Sequence, residues 1–132
     1  RQSFRNIPNG IPGVETRLPI LFSEGVVKKR ISLERFAAIT ATNHARLYGL
    51  YPRKGSITVG ADADIALWDP TLSKTIRQAD LHHGSDYTPW EGFELTGWPV
   101  RTILRGVTVM KDGTPASVPI GQYLERGAPD FI

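Results

Sequence analysis

Gly60-Ala61-Asp62-Ala63-Asp64-Ile65-Ala66-Leu67-Trp68-Asp69-Pro70 is the stretch on which the fold of this chain turns. Glycine, alanine and aspartate at its start are turn chemistry, with short polar side chains that bond their own backbone. Asp64 to Asp69 then reads as a strand closed by Pro70, placing Ile65 and Leu67 on one face and Ala66 and Trp68 on the other. Apolar residues on both sides predict a strand covered on both faces. Before this point the apolar spacing is helical, and after it the chain is strand-rich.

Working back toward the N-terminus, Leu18, Leu21, Phe22 and Val26 recur at helical spacing from Val14 onward. Glu15 stands in the first turn, where the helix dipole favours a negative charge. Gly25 and the run Lys28-Lys29-Arg30 predict an end near residue 30. Ser32 is a suitable N-cap for a second helix, with Leu33, Phe36, Ala37 and Thr40 as its inner face. Asn43 is predicted to cap a short third helix that stops at Gly49. Ahead of all three, Ile7-Pro8-Asn9-Gly10-Ile11-Pro12-Gly13 holds two prolines and two glycines and reads as a shaped loop.

Working forward, residues 78–98 form a long irregular stretch with His82, His83, Tyr87, Pro89, Trp90 and Trp98, the length and composition of a partner surface. Val100 to Leu104 and Val107 to Met110 are two short strands joined at Arg105-Gly106, and Lys111-Asp112-Gly113 is a further turn. The last nineteen residues hold three prolines, with Tyr123, Leu124 and Phe131 as isolated anchors of a docking tail. A sheet of so few short strands is marginal alone.

The composition excludes several classes of function. At 132 residues, 40% apolar and 22% charged, the chain is of ordinary globular make-up. Without cysteine it has no disulfide, zinc knuckle or thiol nucleophile. The net charge of +3 comes from scattered residues rather than a basic stripe, so no nucleic-acid partner is expected. No window approaches the ~20 apolar residues of a membrane span. Arg1 stands where an initiator methionine would, and no apolar signal segment follows. The expectation is a cytoplasmic chain cut from something longer.

Three groups invite a chemical reading. His82-His83 with Asp86 and Glu91 has metal-ligand residue types, but adjacent residues of an extended chain point opposite ways, which favours an interface or hydrogen-bonding role. Asp62 and Asp64 share a face as paired carboxylates do, yet a turn before a strand explains them better. Asn9 has an amide that can donate and accept together, as recognition of a cyclic amide requires, or that simply bonds its own turn. There is no G-x-S-x-G elbow, H-E-x-x-H helix or phosphate-cradling glycine loop.

Several segments together resemble the dihydropyrimidinase/D-hydantoinase family of cyclic amidohydrolases. They are Pro8-Asn9-Gly10-Ile11-Pro12-Gly13-Val14-Glu15-Thr16-Arg17-Leu18-Pro19, Leu50-Tyr51-Pro52-Arg53-Lys54-Gly55, the turn and strand from Gly60 to Ile65, His82-His83, Asp86-Tyr87-Thr88-Pro89, Glu91-Gly92 and Thr96-Gly97-Trp98-Pro99-Val100. The resemblance covers nearly the whole chain and thins after Gly113. The Pro-Asn-Gly loop separates it from allantoinases and dihydroorotases. It also separates it from the non-catalytic collapsin-response-mediator proteins, which share Tyr51-Pro52-Arg53-Lys54-Gly55.

The resemblance implies an α/β architecture: terminal helices of a (β/α)8 barrel followed by C-terminal strands of a small β-sandwich domain, incomplete in this chain. Residues 1–50 would then end the barrel, 51–113 supply the sandwich strands and an interface loop, and 114–132 form the docking tail. It further implies ring opening of a dihydropyrimidine or hydantoin by an enzyme with binuclear zinc bridged by a carboxylated lysine. The ligands and catalytic residues would lie upstream of Arg1, with no catalytic residue and no metal in this chain. Asn9 is the one position that carries a family role across, holding the substrate's cyclic amide. The implied partners are that small substrate and further copies, as a tetramer. The alternative is a non-catalytic oligomerisation module derived from the same family.

Overall fold

The structure is a computed structural model describing residue 3, residues 10–116 and residues 119–130. Two helical segments precede one antiparallel sheet, the order expected. The first segment is α1 (Val14–Leu21), continuous with a π-helical stretch Phe22–Val27. Pro19 lies inside it and lacks the N–H that would continue the ladder. Closure falls to the carbonyl of Gly25, which accepts from Arg30 N–H at 2.7 Å and Ile31 N–H at 3.1 Å. The left-handed residue there is Lys29, at φ 57°. The segment thus ends at Val27, near residue 30 as expected, and Gly25 has a further part in it. Gly25 lets Ile31 pack against its bare Cα, where a Cβ would stand 2.9 Å from Ile31 Cδ1.

Ser32 caps the second segment as expected, its Oγ accepting from Arg35 N–H at 3.2 Å. That segment runs without a break through α2 (Leu33–Ala37), a π-helical stretch Ala38–Thr42 and α3 (Asn43–Leu47). The Asn43 cap is thus a correction. Asn43 has helical angles, φ −65° and ψ −37°, inside a continuous helix. Polar residues at 40, 42 and 43 suggest a break, but Thr40 and Thr42 instead spend their hydroxyls on the carbonyls of Phe36 and Gly55, both at 2.7 Å. Gly49, at φ 65°, does terminate the helix.

The sheet order is β1-β2-β3-β4, all antiparallel. The strands are β1 (Ile65–Thr75), β2 (Glu94–Leu104), β3 (Val107–Lys111) and β4 (Thr114–Pro115). Pro70 does not close β1. Asp69 Oδ1 accepts from Thr71 N–H, Thr71 Oγ1 and Leu72 N–H at 2.8, 2.7 and 3.2 Å, folding Pro70 into an irregularity between Asp69 and Ser73, after which pairing resumes. β1 is an edge strand, where a missing N–H is tolerated. Its two faces are not equally covered: Trp68 packs on the helices, while Leu67 is 44% exposed. β2 begins six residues earlier than Val100, so the irregular stretch ends at Phe93. Arg105-Gly106 and Asp112-Gly113 join their strands with positive φ at both residues, as tight hairpin turns of this hand require.

Phe22, Phe36, Ala45, Ile76 and Leu95, with Pro19 of α1, are the buried apolar side chains among the described residues. Between the second helical segment and β1 the surface stays open as an apolar groove of about 1130 Å³, lined by Phe22, Phe36, Ala41, Ile57 and Trp68 among others. Among the described residues no helix is long and apolar enough to cross a membrane.

Candidate functional site

Asn9 lies outside the described residues, but the backbone that follows it does not. The Gly10 carbonyl accepts a hydrogen bond from the Tyr87 hydroxyl at 3.0 Å. Five residues on, Glu15 is used twice by one partner: Oε2 accepts from His82 N–H at 2.8 Å, and Oε1 lies 2.9 Å from His82 Nδ1. Segment 82–87 therefore grips the Gly10–Glu15 loop at both ends. Glu15 is still a first-turn residue of α1, so it caps the charge of the helix and ties the loop at once.

The gripping segment is itself braced on the sheet. Ile76 and Leu95, each 1% exposed, anchor the strand ends from which it leaves and to which it returns. Ile76 N–H donates to Phe93 O at 2.8 Å, and Gly92 N–H to Ile76 O at 2.9 Å. Inside that neck, Gln78 N–H donates to Glu91 Oε2 at 2.7 Å and Gln78 Nε2 donates to Ser85 O at 2.8 Å. Thr88 is buried, and its Oγ1 accepts from Trp90 N–H at 3.3 Å. These bonds brace the stretch from within, and Thr88 alone of residues 78–93 is buried.

The two histidines do not converge. His82 faces Glu15, while His83 Nδ1 accepts from Ser85 N–H at 3.2 Å. His83 Nε2 is buried without a hydrogen-bond partner among the described residues. No group of three or more His, Asp or Glu side chains able to hold a metal exists among the described residues. The residues present do not fit a binuclear metal pair.

Asp62 and Asp64 do come together, on Lys54 rather than on a substrate. Lys54 Nζ lies 2.9 Å from Asp62 Oδ2 and bonds Asp64 Oδ2, and Arg53 Nε is 3.0 Å from Asp62 Oδ2. Asp64 Oδ1 also accepts from Arg105 N–H at 2.8 Å, fastening the tip of the β2–β3 hairpin. The Lys54 hydrogen bond, against the desolvation of the carboxyl and with Arg53 adding, holds Asp62 below the usual aspartate range. Burial works to lower Lys54, but its bonds to Asp64 and Asp62 prevail and raise it. A carboxylate held ionised by two cations is a structural clip and a poor general base.

Of the residues singled out from sequence, the structure thus brings Asp62 to Asp64 and separates His82 from His83. Tyr87 and Glu15, the anchors of the loop, have no local signal. Their contacts span 77 and 67 positions of sequence, and only the resemblance puts them in the same motif set.

The profile of the amidohydrolase family matches residues 7–109. D-phenylhydantoinase of Escherichia coli O1:K1 / APEC is 48% identical over 124 residues, which is 93% of this chain and 27% of that protein. D-hydantoinase of Geobacillus stearothermophilus is 47% identical over 127 residues, 96% of this chain and 27% of that protein. The crystal structure of D-hydantoinase from Bacillus sp. AR9 superposes with a TM-score of 0.93 at 43% identity, covering 100% of this chain and 29% of that one. The chain therefore spans about a quarter of the length of the relatives it matches. On these matches, this chain belongs to the amidohydrolase family and is similar along nearly its whole length to hydantoinases.

Proposed function

We propose that this chain supplies the substrate-holding loop and the sheet-domain strands of a cyclic-amide hydrolase that opens hydantoin or dihydropyrimidine rings. The observation that carries the reading is similarity to hydantoinases over 93% of the chain at 48% identity. In the reaction an endocyclic amide C–N bond breaks; water adds its oxygen to the carbonyl carbon, and a proton goes to the departing ring nitrogen. Asn9 would bond the ring amide through its own, donating to a carbonyl and accepting from a ring N–H. The zinc pair implied by the family would supply an activated water, with its ligands in residues beyond this chain. The remainder of such a protein would also cover the open groove bounded by Phe36 and Trp68. A cytoplasmic homo-oligomer is the setting this reading carries with it.

The test is to place this chain in the D-hydantoinase of Geobacillus stearothermophilus over the matching residues and follow loss of hydantoin and of dihydrouracil. The zinc-loaded chimera is expected to open at least one ring, the 132-residue chain alone neither. Asn9→Ala in the chimera is expected to raise KM about tenfold, the loss of one or two hydrogen bonds to substrate. Ring opening by the isolated chain, or an Asn9→Ala chimera with unchanged kinetics, would overturn the reading.

A further inference from the structure

We propose that Asp112-Gly113 is a covalent modification site, at which the folded chain converts Asp112 to isoaspartate without the help of an enzyme. The site stands apart from the ring-opening reading and uses none of its residues.

The reaction closes a ring between a carboxyl group and the next amide. The Gly113 nitrogen bonds to Asp112 Cγ, and the carboxyl hydroxyl leaves with the amide proton as water. Water then adds to either carbonyl of the five-membered imide. Breaking the bond from nitrogen to Cγ restores aspartate. Breaking the bond from nitrogen to the α-carbonyl leaves the main chain running through Cβ and Cγ, with a free α-carboxylate beside it. The mass is unchanged, and water is the only co-reactant.

The structure supplies what this chemistry needs at Asp112. Residue and neighbour are exposed, and the Asp112 carboxylate has no hydrogen bond or ion pair among the described residues. The Gly113 N–H likewise donates to nothing among the described residues. No atom lies within 4 Å of where a Gly113 Cβ would stand, so the approach to its nitrogen is unobstructed. The turn also closes the weakest part of the sheet. β4 has two residues, paired only as Met110 with Pro115 and Lys111 with Thr114, and Pro115 has no N–H to give. A ladder this short opens at little cost, and opening releases Asp112 from its left-handed φ of 49° to swing its carboxyl onto the glycine nitrogen.

The other aspartates lack this combination. Asp62 and Asp64 are held by Lys54. Asp69 is bonded to Thr71 and Leu72 and precedes Pro70, whose nitrogen carries no hydrogen. Asp80 precedes Leu81, whose N–H is spent on Gln78 O at 3.1 Å. Asp86 and Asp130 precede the bulky Tyr87 and Phe131. Conversion at residue 112 adds a backbone atom to a tight hairpin turn. The strands then lose register, and with it the bond from Ala116 N–H to Val109 O at 2.8 Å.

To test this, the folded 132-residue chain is kept warm at about pH 5, where part of the carboxyl is protonated, and sampled over time. An endoproteinase that cuts before aspartate does not cut before isoaspartate. Conversion therefore appears as an uncut peptide of residues 86–129 with unchanged mass. An isoaspartyl methyltransferase with labelled S-adenosylmethionine counts the same sites. Residue 112 is expected to convert first, about tenfold more slowly in the folded chain than in urea because the turn must open. Asp112→Glu should abolish the signal. Asp112→Asn should speed it and add mass, since ammonia leaves in place of water. Asn9-Gly10 can close the same ring, but its product also gains mass and falls in the peptide of residues 1–61. The peptide map locates the site in the parent chain, whether or not a variant folds. Isoaspartate arising first at Asp80 or Asp86 would overturn the proposal. So would a residue 112 that converts in urea and stays intact in the folded chain.

Discussion

The Trp68 indole lies flat on the Phe22 ring, with centroids 4.7 Å apart and planes 14° apart, and Phe36 meets both edge-on at 5.5 and 5.2 Å. This three-ring cluster is where the helices meet β1. Aromatic pairs at such spacing contribute beyond the area they bury. Phe22 is buried, so Phe22→Ala is expected to cost about 3–5 kcal/mol, read as a lower urea midpoint at unchanged slope. Trp68→Ala should cost less, because the indole is only half-buried.

Gly97 sits directly under the same cluster. At φ 94° it occupies backbone space that other residues avoid, and a Cβ there would stand 2.2 Å from Phe22 Cδ1. The ring is held by the edge of Phe36 and the face of Trp68, so moving it away from Gly97 breaks both contacts. Gly97→Ala is therefore expected to cost about 2–4 kcal/mol from strain and overpacking. Adding Phe22→Leu should recover part of that loss; a Gly97→Ala chain with an unchanged melting point would contradict the packing.

Acid and alkali should both loosen the clip around Lys54. Asp62 is lowered from an ordinary 3.8, so its stabilisation is complete above that value and is lost as pH falls through the lower folded value. Lys54 is raised from an ordinary 10.5, so its stabilisation is complete below that and is lost as pH rises through the higher folded value. Stability should hold level across neutrality and fall at both extremes. Glu24, Glu34 and Asp69, lowered by Lys28, Ser32 and Thr71 in turn, add to the acid side. Asp62→Asn should flatten the acid limb in thermal melts between about pH 2 and pH 7. An unaltered limb would mean that the clip contributes nothing.

What could be read from residues alone was local. The Ser32 cap, the Gly49 stop and the two hairpin turns need only neighbours in sequence, and each is where the residues placed it. Asn43 misled because polar residues in a row imitate a helix start, whereas Thr40 and Thr42 had found carbonyls to bond. Pro70 misled because Asp69 folds it into a bulge that no period reveals. The clamp on the candidate site was invisible for a different reason. Glu15 and His82 are surface residues of ordinary type, and nothing but the three-dimensional arrangement brings them together.

The tail is fastened to the end of α3 through backbone. Gly127 N–H donates to Gly49 O at 2.8 Å, Asp130 N–H donates to Arg46 O at 3.0 Å, and a Cβ on Gly49 would fall 2.1 Å from Gly127 O. The bond between Arg126 and Gly127 lies beside the first of these contacts. Gly49→Ala is expected to push the tail away and speed tryptic cleavage after Arg126 about tenfold. Mass spectrometry of the digest reads this directly, and a cleavage rate equal to the parent's would show that the tail does not depend on that glycine.

Zinc should leave this chain indifferent. Every histidine, aspartate and glutamate lies among the described residues, where no three of them form a ligand group. The nearest candidate, His82-His83, has one ring facing Glu15 and the other held at Nδ1 by the Ser85 amide. A ligand that binds the folded form at a hundredfold excess over its Kd adds about 2.7 kcal/mol, which a melting curve resolves easily. The expected result is the same melting point with zinc, without it, and after a chelator. A rise with zinc that His82→Ala abolishes would mean that the pair can turn toward one ion, and the assignment of the family's metal ligands to residues beyond this chain would have to be given up.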